Sequence, residues 1–278
     1  MASSGCAGFD ASAHGAQLRA MVDSLDQPEA EVFAGHVPLM FGEACIGHLS
    51  PAFSAYVLAR RSLIALRDGL LWIDPLRPPP ELSARWHELA VMCRTDGWLP
   101  AWRDEAYAVR HPAHGEPICE LERGAFRRFG LKSEAVHVNG ISHDGRIWVA
   151  RRAASKAIDP GRLDNMVGGG IASGEDATSA LLRECQEEAG VPLAVARGAH
   201  FTERRVSLRR EPDGIHHETL HIYDLLLPVD FMPRNLDGEV AGFSLMSPDA
   251  VTEALCGGAF TIDAGAVTAA CLLRHSGS

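Results

Sequence analysis

Gly168-Gly169-Gly170-Ile171-Ala172-Ser173-Gly174-Glu175, followed after seven residues by Arg183-Glu184-Cys185-Gln186-Glu187-Glu188-Ala189-Gly190-Val191, is the stretch on which any account of this chain depends. Its fixed positions run G-x5-E-x7-R-E-x2-E-E-x-G-apolar from Gly169 to Val191. Glu184, Glu187 and Glu188 are spaced i, i+3 and i, i+4, so on a helix they share one face. Leu181, Leu182, Cys185 and Ala189 point another way and supply an apolar stripe for packing. Clustered carboxylates repel one another, and a helix gains nothing from the crowding unless a cation sits among them. Hard oxygen ligands suit Mg2+ or Mn2+. A charge run is usually a solvated face; the glycine loop, Glu175 and Arg183 in register argue instead for a site.

Upstream of this stretch, Ala135 to Ile141 alternates as a strand, and Asp144-Gly145 turns the chain into a second strand over Arg146 to Arg151. Leu121 to Phe129 reads as a short helix ending at Gly130, and Trp102 to Val109 as a strand. The Pro/His/Gly-rich connection from His111 to Pro117 is the best domain boundary. Before it lie a short helical pattern over Ala16 to Leu25, a strand at Val37 to Gly42, and a helix opening at Ser50-Pro51. Paired strands around Asp68-Gly69 and an amphipathic helix from Glu81 to Arg94 complete this part. Downstream, Phe201 to Leu208 and Glu218 to Leu227 read as strands. A further strand follows over Glu239 to Met246, then a helix from Ser247-Pro248 and a last one over Gly265 to Arg274. This divides the chain into a disordered leader (1–17), an N-terminal α+β domain without a catalytic motif (18–117), and the motif-bearing domain (118–278).

Over 278 residues, 46% are hydrophobic and 22% charged, the composition of a globular protein long enough for two cores. A formal net charge of −10 argues against a general nucleic-acid binder, but not against phosphate substrates, because a bound divalent cation reverses the local sign. Seven scattered cysteines without a C-x-x-C pair fit a reducing compartment and give no zinc site or disulfide framework. With no secretory leader and no apolar run long enough for a bilayer, the chain reads as cytoplasmic, without membrane or nucleic-acid partners. The oligomeric state stays open, a homodimer included.

The motif from Gly169 to Val191 resembles the signature of the Nudix hydrolases. That resemblance implies an α+β fold, a Nudix α/β/α sandwich with a mixed sheet. It also implies metal-dependent cleavage of a diphosphate linked to another moiety. Carried over by position, Glu184, Glu187 and Glu188 match metal-binding and base positions, and the Gly169 carbonyl matches a backbone ligand. Glu175 and Arg183 match a pair that supports loop and helix. Glu239, beside the Asp237-Gly238 turn, stands where many such folds place a further acid, with Asp237 as the fallback. Arg152 and Lys156, followed by Pro160-Gly161, are similar to the diphosphate-holding cations of isopentenyl-diphosphate isomerases, which share this fold. His137 beside Asn139 reads as a satisfied core histidine.

Further segments resemble one Nudix subgroup, the Nudix part of thiamine-pyrophosphokinase-related proteins with an extra N-terminal domain. These segments are Leu121-Glu122-Arg123, Val136-His137-Val138-Asn139-Gly140, Leu163-Asp164-Asn165, Asp237-Gly238-Glu239-Val240 and Leu273-Arg274-His275. The subgroup implies hydrolysis of thiamine diphosphate or its oxo and oxy analogues to the monophosphate plus phosphate. Alternatives are a Nudix pyrophosphatase of a nucleotide sugar, dinucleotide or oxidised nucleotide, an isopentenyl-diphosphate isomerase-like enzyme, and a non-catalytic ligand sensor. ADP-ribose enzymes often carry a proline about fifteen residues beyond the signature, where Val206 stands here. Against the isomerase stands Leu163-Asp164-Asn165-Met166-Val167 in place of a cysteine-bearing segment. Against the sensor stands the full set of signature carboxylates. Cys185 departs from the larger aliphatic usual at its position.

Overall fold

The computed structural model describes residues 11–60, 63–156 and 158–275. Helix α1 (Ala11–Asp23) begins five residues before the expected start at Ala16, so part of the stretch expected as a leader is helical; residues 1–10 lie outside the described residues. Leu18 and Val22, one helical turn apart, bury against the carboxy-terminal helix, so α1 joins the second core instead of the first.

After α2 (Glu29–Val32) come β1 (Val37–Phe41), β2 (Ala44–Leu49), α3 (Pro51–Ala59), β3 (Ile64–Arg67), β4 (Leu70–Ile73) and α4 (Pro79–Thr95). Ser50 caps α3 by accepting from the Phe53 amide, with Pro51 at the first helical position. The strands form one sheet in the order β2-β1-β4-β3. Against it lies an aromatic core in which Phe129 meets Trp86 and Phe53 edge-on, at 5.6 and 5.0 Å between ring centres. Strand β2 has no clear alternation in sequence and was not anticipated.

The strand expected over Trp102 to Val109 is only β5 (Ala106–Arg110), because Asp104 turns the chain with φ 58°. β5 pairs antiparallel with β6 (Pro117–Glu122), and the Pro/His/Gly-rich connection read as a domain boundary is the turn of this hairpin. Turn-forming residues close a hairpin as readily as they join domains. The helix expected from Leu121 starts later: Leu121 is in β6, and a 3-10 turn (Arg123–Ala125) leads into α5 (Phe126–Phe129), closed by Gly130 at φ 60°. The first core extends to Leu131.

The second sheet begins with β7 (Ser133–Ile141), β8 (Ile147–Arg152), β9 (Leu163–Asn165) and β10 (Val167–Gly170), then helices α6 (Ala177–Ala189) and α7 (Leu193–Ala196). β11 (His200–Glu211), β12 (Gly214–Leu226) and β13 (Val240–Met246) complete it, and α8 (Pro248–Cys256) and α9 (Ile262–His275) end the described chain. Strand order is β11-β12-β7-β8-β13, with β10 added to β7 and β9 to β8. Only β12 and β7 pair in parallel, so the sheet is mixed. Alternation along β7 sends Val136 and Val138 towards Leu181, Cys185 and Ala189 of α6, and Ala135 towards Ala266 and Val267 of α9. The result is an α/β/α sandwich, as the resemblance implied. Cys185 is fully buried in that packing. No helix among the described residues is long and apolar enough to cross a membrane.

Candidate active site

Helix α6 is started by a reciprocal cap between Asp176 and Ser179 and stopped by Gly190 in the left-handed region at φ 62°. Its glutamates do not share one environment. Glu184 and Glu188 are buried against β10, whereas the Glu187 side chain is 49% exposed and meets Arg183 at 3.2 Å. Glu188 accepts the Gly168 amide at 2.8 Å. Burial and the charge of Glu184 raise its pKa well above the ordinary carboxylate value. Burial likewise pushes Glu184 up to about 6, against the opposing pull of Arg183.

Arg183 organises the surroundings of these acids. Its guanidinium donates to both oxygens of Glu175 at 2.7 and 2.8 Å, to Glu184 at 2.7 Å and to the Gly170 carbonyl at 3.1 Å. The Arg183 hydrogen bonds hold Glu175 below its ordinary pKa, and Glu175 in turn accepts the Ala172 amide at 3.1 Å. Loop, strand and helix are thereby linked through the Glu175–Arg183 pair.

β10 passes so close to α6 that a Cβ on Gly169 would lie 2.0 Å from Cδ of Glu184. Gly169→Ala must therefore displace either the strand or the carboxylate. We expect a stability loss of about 1–3 kcal/mol from overpacking and a loss of turnover at least as large as that fall in folded protein explains, read by thermal melting and initial rates. An alanine variant with unchanged rate and melting would show that this contact is unimportant.

Downstream, the turn before β13 folds on itself. The Asn235 side-chain oxygen accepts the amides of Asp237 and Gly238, and Asp237 accepts the Glu239 amide at 2.8 Å. As a result, carboxylate oxygens of Glu188, Asp237 and Glu239 lie within 4.8 Å of one another. Lys156 forms an ion pair with Glu239. Burial tends to raise the Glu239 pKa, but the Lys156 hydrogen bond and charge, with Arg123 and Arg103 further off, outweigh it and lower the value. This converging set of three carboxylates, one buried and held by a single backbone amide, fits a hard divalent cation. Glu239 and its fallback Asp237 both lie with Glu188 in this set, whereas Glu184 and Glu187, expected as its metal-binding partners, are tied to Arg183.

Arg152 and Lys156, expected as diphosphate-holding cations, both line a cavity of about 190 Å³ along Gly168, Gly169 and Gly170. Each has an internal partner. Arg152 donates to Asp164 at 2.7 Å and to the Ile158 carbonyl at 2.8 Å, and Lys156 meets Glu239. Arg151 is the exposed neighbour, donating to the Gly161 carbonyl.

A buried polar chain underlies the same cavity. His137 Nδ1 lies 2.8 Å from the Asn165 side-chain oxygen, and Asn165 donates to Asn139 and Thr268. Asn139 donates to Asp224, which Arg274 grips with two bonds of 3.0 Å. Three segments singled out in sequence, around His137, Asn165 and Arg274, are thus parts of one network. Its members are distant along the chain, and the unremarkable Asp224 and Thr268 that join them carried no signal.

Residues 133–263 match the model of the NUDIX domain, and residues 21–133 match a domain of unknown function (DUF4743). The chain therefore carries a Nudix domain, preceded by a domain with no assigned role. Among curated proteins it is similar to Nudix hydrolase 20, chloroplastic, of Arabidopsis thaliana, 30% identical over 230 residues, which are 78% of this chain and 62% of that protein. Nudix hydrolase 24, chloroplastic, of the same plant is 30% identical over 217 residues, 76% of this chain and 59% of that protein. The chain thus spans about 60% of the length of these relatives. A crystal structure of DR0079 from Deinococcus radiodurans aligns at 22% identity over 61% of this chain and 98% of that one, with a TM-score of 0.45.

Proposed function

We propose that this chain hydrolyses a diphosphate bond linked to another moiety, using Mg2+ or Mn2+. The observation that carries this reading is the convergence of Glu188, Asp237 and Glu239 beside the cation-lined cavity at Gly168–Gly170. Glu188, Asp237 and Glu239 would hold the cation. When bound, the cation supplies charge neutralisation of the diphosphate and Lewis acidity. The protein's own contribution is positional: the Gly168 amide aims Glu188, Lys156 aims Glu239, and Arg183 aims Glu184. Glu187, half exposed on the same helix, stays paired with Arg183 at 3.2 Å.

The substrate we favour is thiamine diphosphate or its oxo and oxy analogues, cleaved to the monophosphate and phosphate. Support comes from the subgroup resemblance, whose segments at His137–Asn139, Leu163–Asn165 and Leu273–His275 meet in one network beside the cavity. The cytoplasmic setting expected from the sequence has no support from the two plant relatives, which are named chloroplastic.

Phosphate release with Mg2+ from thiamine diphosphate, oxothiamine diphosphate, ADP-ribose and 8-oxo-dGTP tests both levels of the proposal. We expect turnover that EDTA abolishes, fastest on a thiamine-type diphosphate. Preference for either nucleotide would transfer the assignment to a nucleotide pyrophosphatase; no turnover on any of the four would count against hydrolysis itself.

A further inference from the structure

The domain of unknown function reaches into the candidate active site. Hairpin β5–β6 is fastened to the signature loop at two points: the Ser173 amide donates to the Ala106 carbonyl at 2.8 Å, and the Ser173 hydroxyl donates to Glu120 at 2.7 Å. Between these bonds, Tyr107 projects against β10. A Cβ on Gly170 would lie 1.4 Å from the Tyr107 hydroxyl oxygen, so no residue but glycine fits there.

Tyr107 is only 3% exposed, and its hydroxyl has no hydrogen-bond partner among the described residues. A buried hydroxyl left unpaired costs about 1–3 kcal/mol, a cost that a ligand at the cavity wall would relieve by accepting a hydrogen bond from it. The ring is held rigidly, edge-on to Phe126 at 5.5 Å and under the Arg123 guanidinium at 5.2 Å. Burial raises the pKa of the phenol, which keeps it a donor at neutral pH.

Arg103 lines the same cavity from the segment before β5. Its backbone is anchored, because buried Glu122 accepts the Arg103 amide at 2.8 Å and the Gly124 amide at 3.1 Å. Most other cations along this wall are committed to carboxylates: Arg123 to Glu105, Arg152 to Asp164, Lys156 to Glu239 and Arg209 to Asp263. The Arg103 guanidinium has no such ion pair among the described residues.

We propose that Arg103 and Tyr107 of the N-terminal domain are substrate-binding residues, donating hydrogen bonds to the phosphoryl oxygens of a diphosphate in the Gly168–Gly170 cavity. This rests on the reading of that cavity as a diphosphate site. A planar guanidinium fork and a fixed phenol hydroxyl suit oxygen anions. They also give the N-terminal domain a role as one wall of the active site.

The test uses the full chain and methylenediphosphonate, a diphosphate that cannot be hydrolysed, titrated calorimetrically with Mg2+ present. Arg103→Ala should weaken binding by about 10-fold or more, Arg103→Lys should recover part of it, and Tyr107→Phe should weaken it by about 3- to 10-fold, the scale of single polar contacts. Without ligand, the thermal midpoint of Arg103→Ala should stay near the wild-type value and that of Tyr107→Phe should equal or exceed it. On a hydrolysed substrate, the Arg103 effect should fall on KM more than on kcat. Wild-type affinity in both Arg103→Ala and Tyr107→Phe would overturn the proposal, as would absence of wild-type binding. Binding that these variants weaken, in a protein that hydrolyses none of the diphosphates, would uphold this inference and remove the hydrolase reading. Unchanged binding in variants of an active hydrolase would do the reverse.

Discussion

Glu188→Gln should lower turnover by about 10³-fold while making the metal-free protein more stable above neutral pH. The two effects have one cause. Glu188 is buried, shares its surroundings with Glu184, and among the described residues receives only the Gly168 amide as a hydrogen bond. Its raised pKa means that the folded state resists ionisation more than the unfolded chain does. For an acid shifted in this direction, stability is unaffected well below the unfolded pKa. It is lost progressively as pH rises from there towards the folded pKa. Glu184, raised to about 6, behaves in the same way over the interval from its ordinary value of 4.5. Glutamine keeps the acceptor for Gly168 and removes the ionisation. The melting difference between variant and wild type in EDTA should therefore be small near pH 4.5 and grow in favour of the variant towards pH 8. Adding Mg2+ should raise the wild-type midpoint and leave the variant little changed, reversing the order. Wild-type turnover in the variant would remove Glu188 from the site, and a melting difference independent of pH would refute the electrostatic explanation.

The parts of this site that are legible in sequence are those built within one helical turn or one strand. Glu184 and Glu188, the Arg183–Glu175 pair and the glycine loop could be read because their spacing is set by α6 and β10 alone. The different settings of Glu184 and Glu187 could not be read, since helical periodicity places both on one face and the approach of Gly169 decides which is buried. Arg152 illustrates the complementary difficulty. Its cationic character was evident, but its attachment to Asp164 and the Ile158 carbonyl depends on how the connection between β8 and β9 closes. Asp237 was visible only as a fallback, because the turn held by Asn235 is what directs it towards Glu188. Arg103 and Tyr107 read in sequence only as part of a strand over Trp102 to Val109, with nothing to mark them as functional. They lie more than sixty residues before Gly170, in a domain without a catalytic motif, and only the attachment of its hairpin to Ser173 brings them to the cavity. At the level of the fold, alternation and caps identified most second-domain strands, whereas the docking of α1 on α9 is a long-range packing event with no local mark.

Arg183→Ala should produce the largest loss of stability among the signature substitutions, about 3 kcal/mol, the lower end of the cost of removing one member of a buried ion pair. One guanidinium serves Glu175, Glu184, Glu187 and the Gly170 carbonyl, and alanine leaves the first two without a counter-ion in partly or largely buried positions. Lysine is not equivalent, because a compact ammonium cannot reproduce the two-pronged contact with Glu175 while also reaching Glu184 and Gly170. Arg183→Lys should recover part of the stability but little of the activity. The pH dependence distinguishes this explanation from a simple packing defect. The depressed pKa of Glu175 contributes stability that is present above the unfolded value and is lost as pH falls through the folded one. In urea titrations, the gap between wild type and Arg183→Ala should therefore be widest near neutrality and narrow as the solution is acidified from about pH 4.5 down through the folded pKa of Glu175, below which both states bind the proton. Arg183 also restrains the upward shift of Glu184, so its removal should move the acidic limb of the rate profile to higher pH. A urea midpoint equal to that of wild type, or a gap that persists unchanged into acid, would mean that Arg183 does not hold the loop and helix together through these carboxylates.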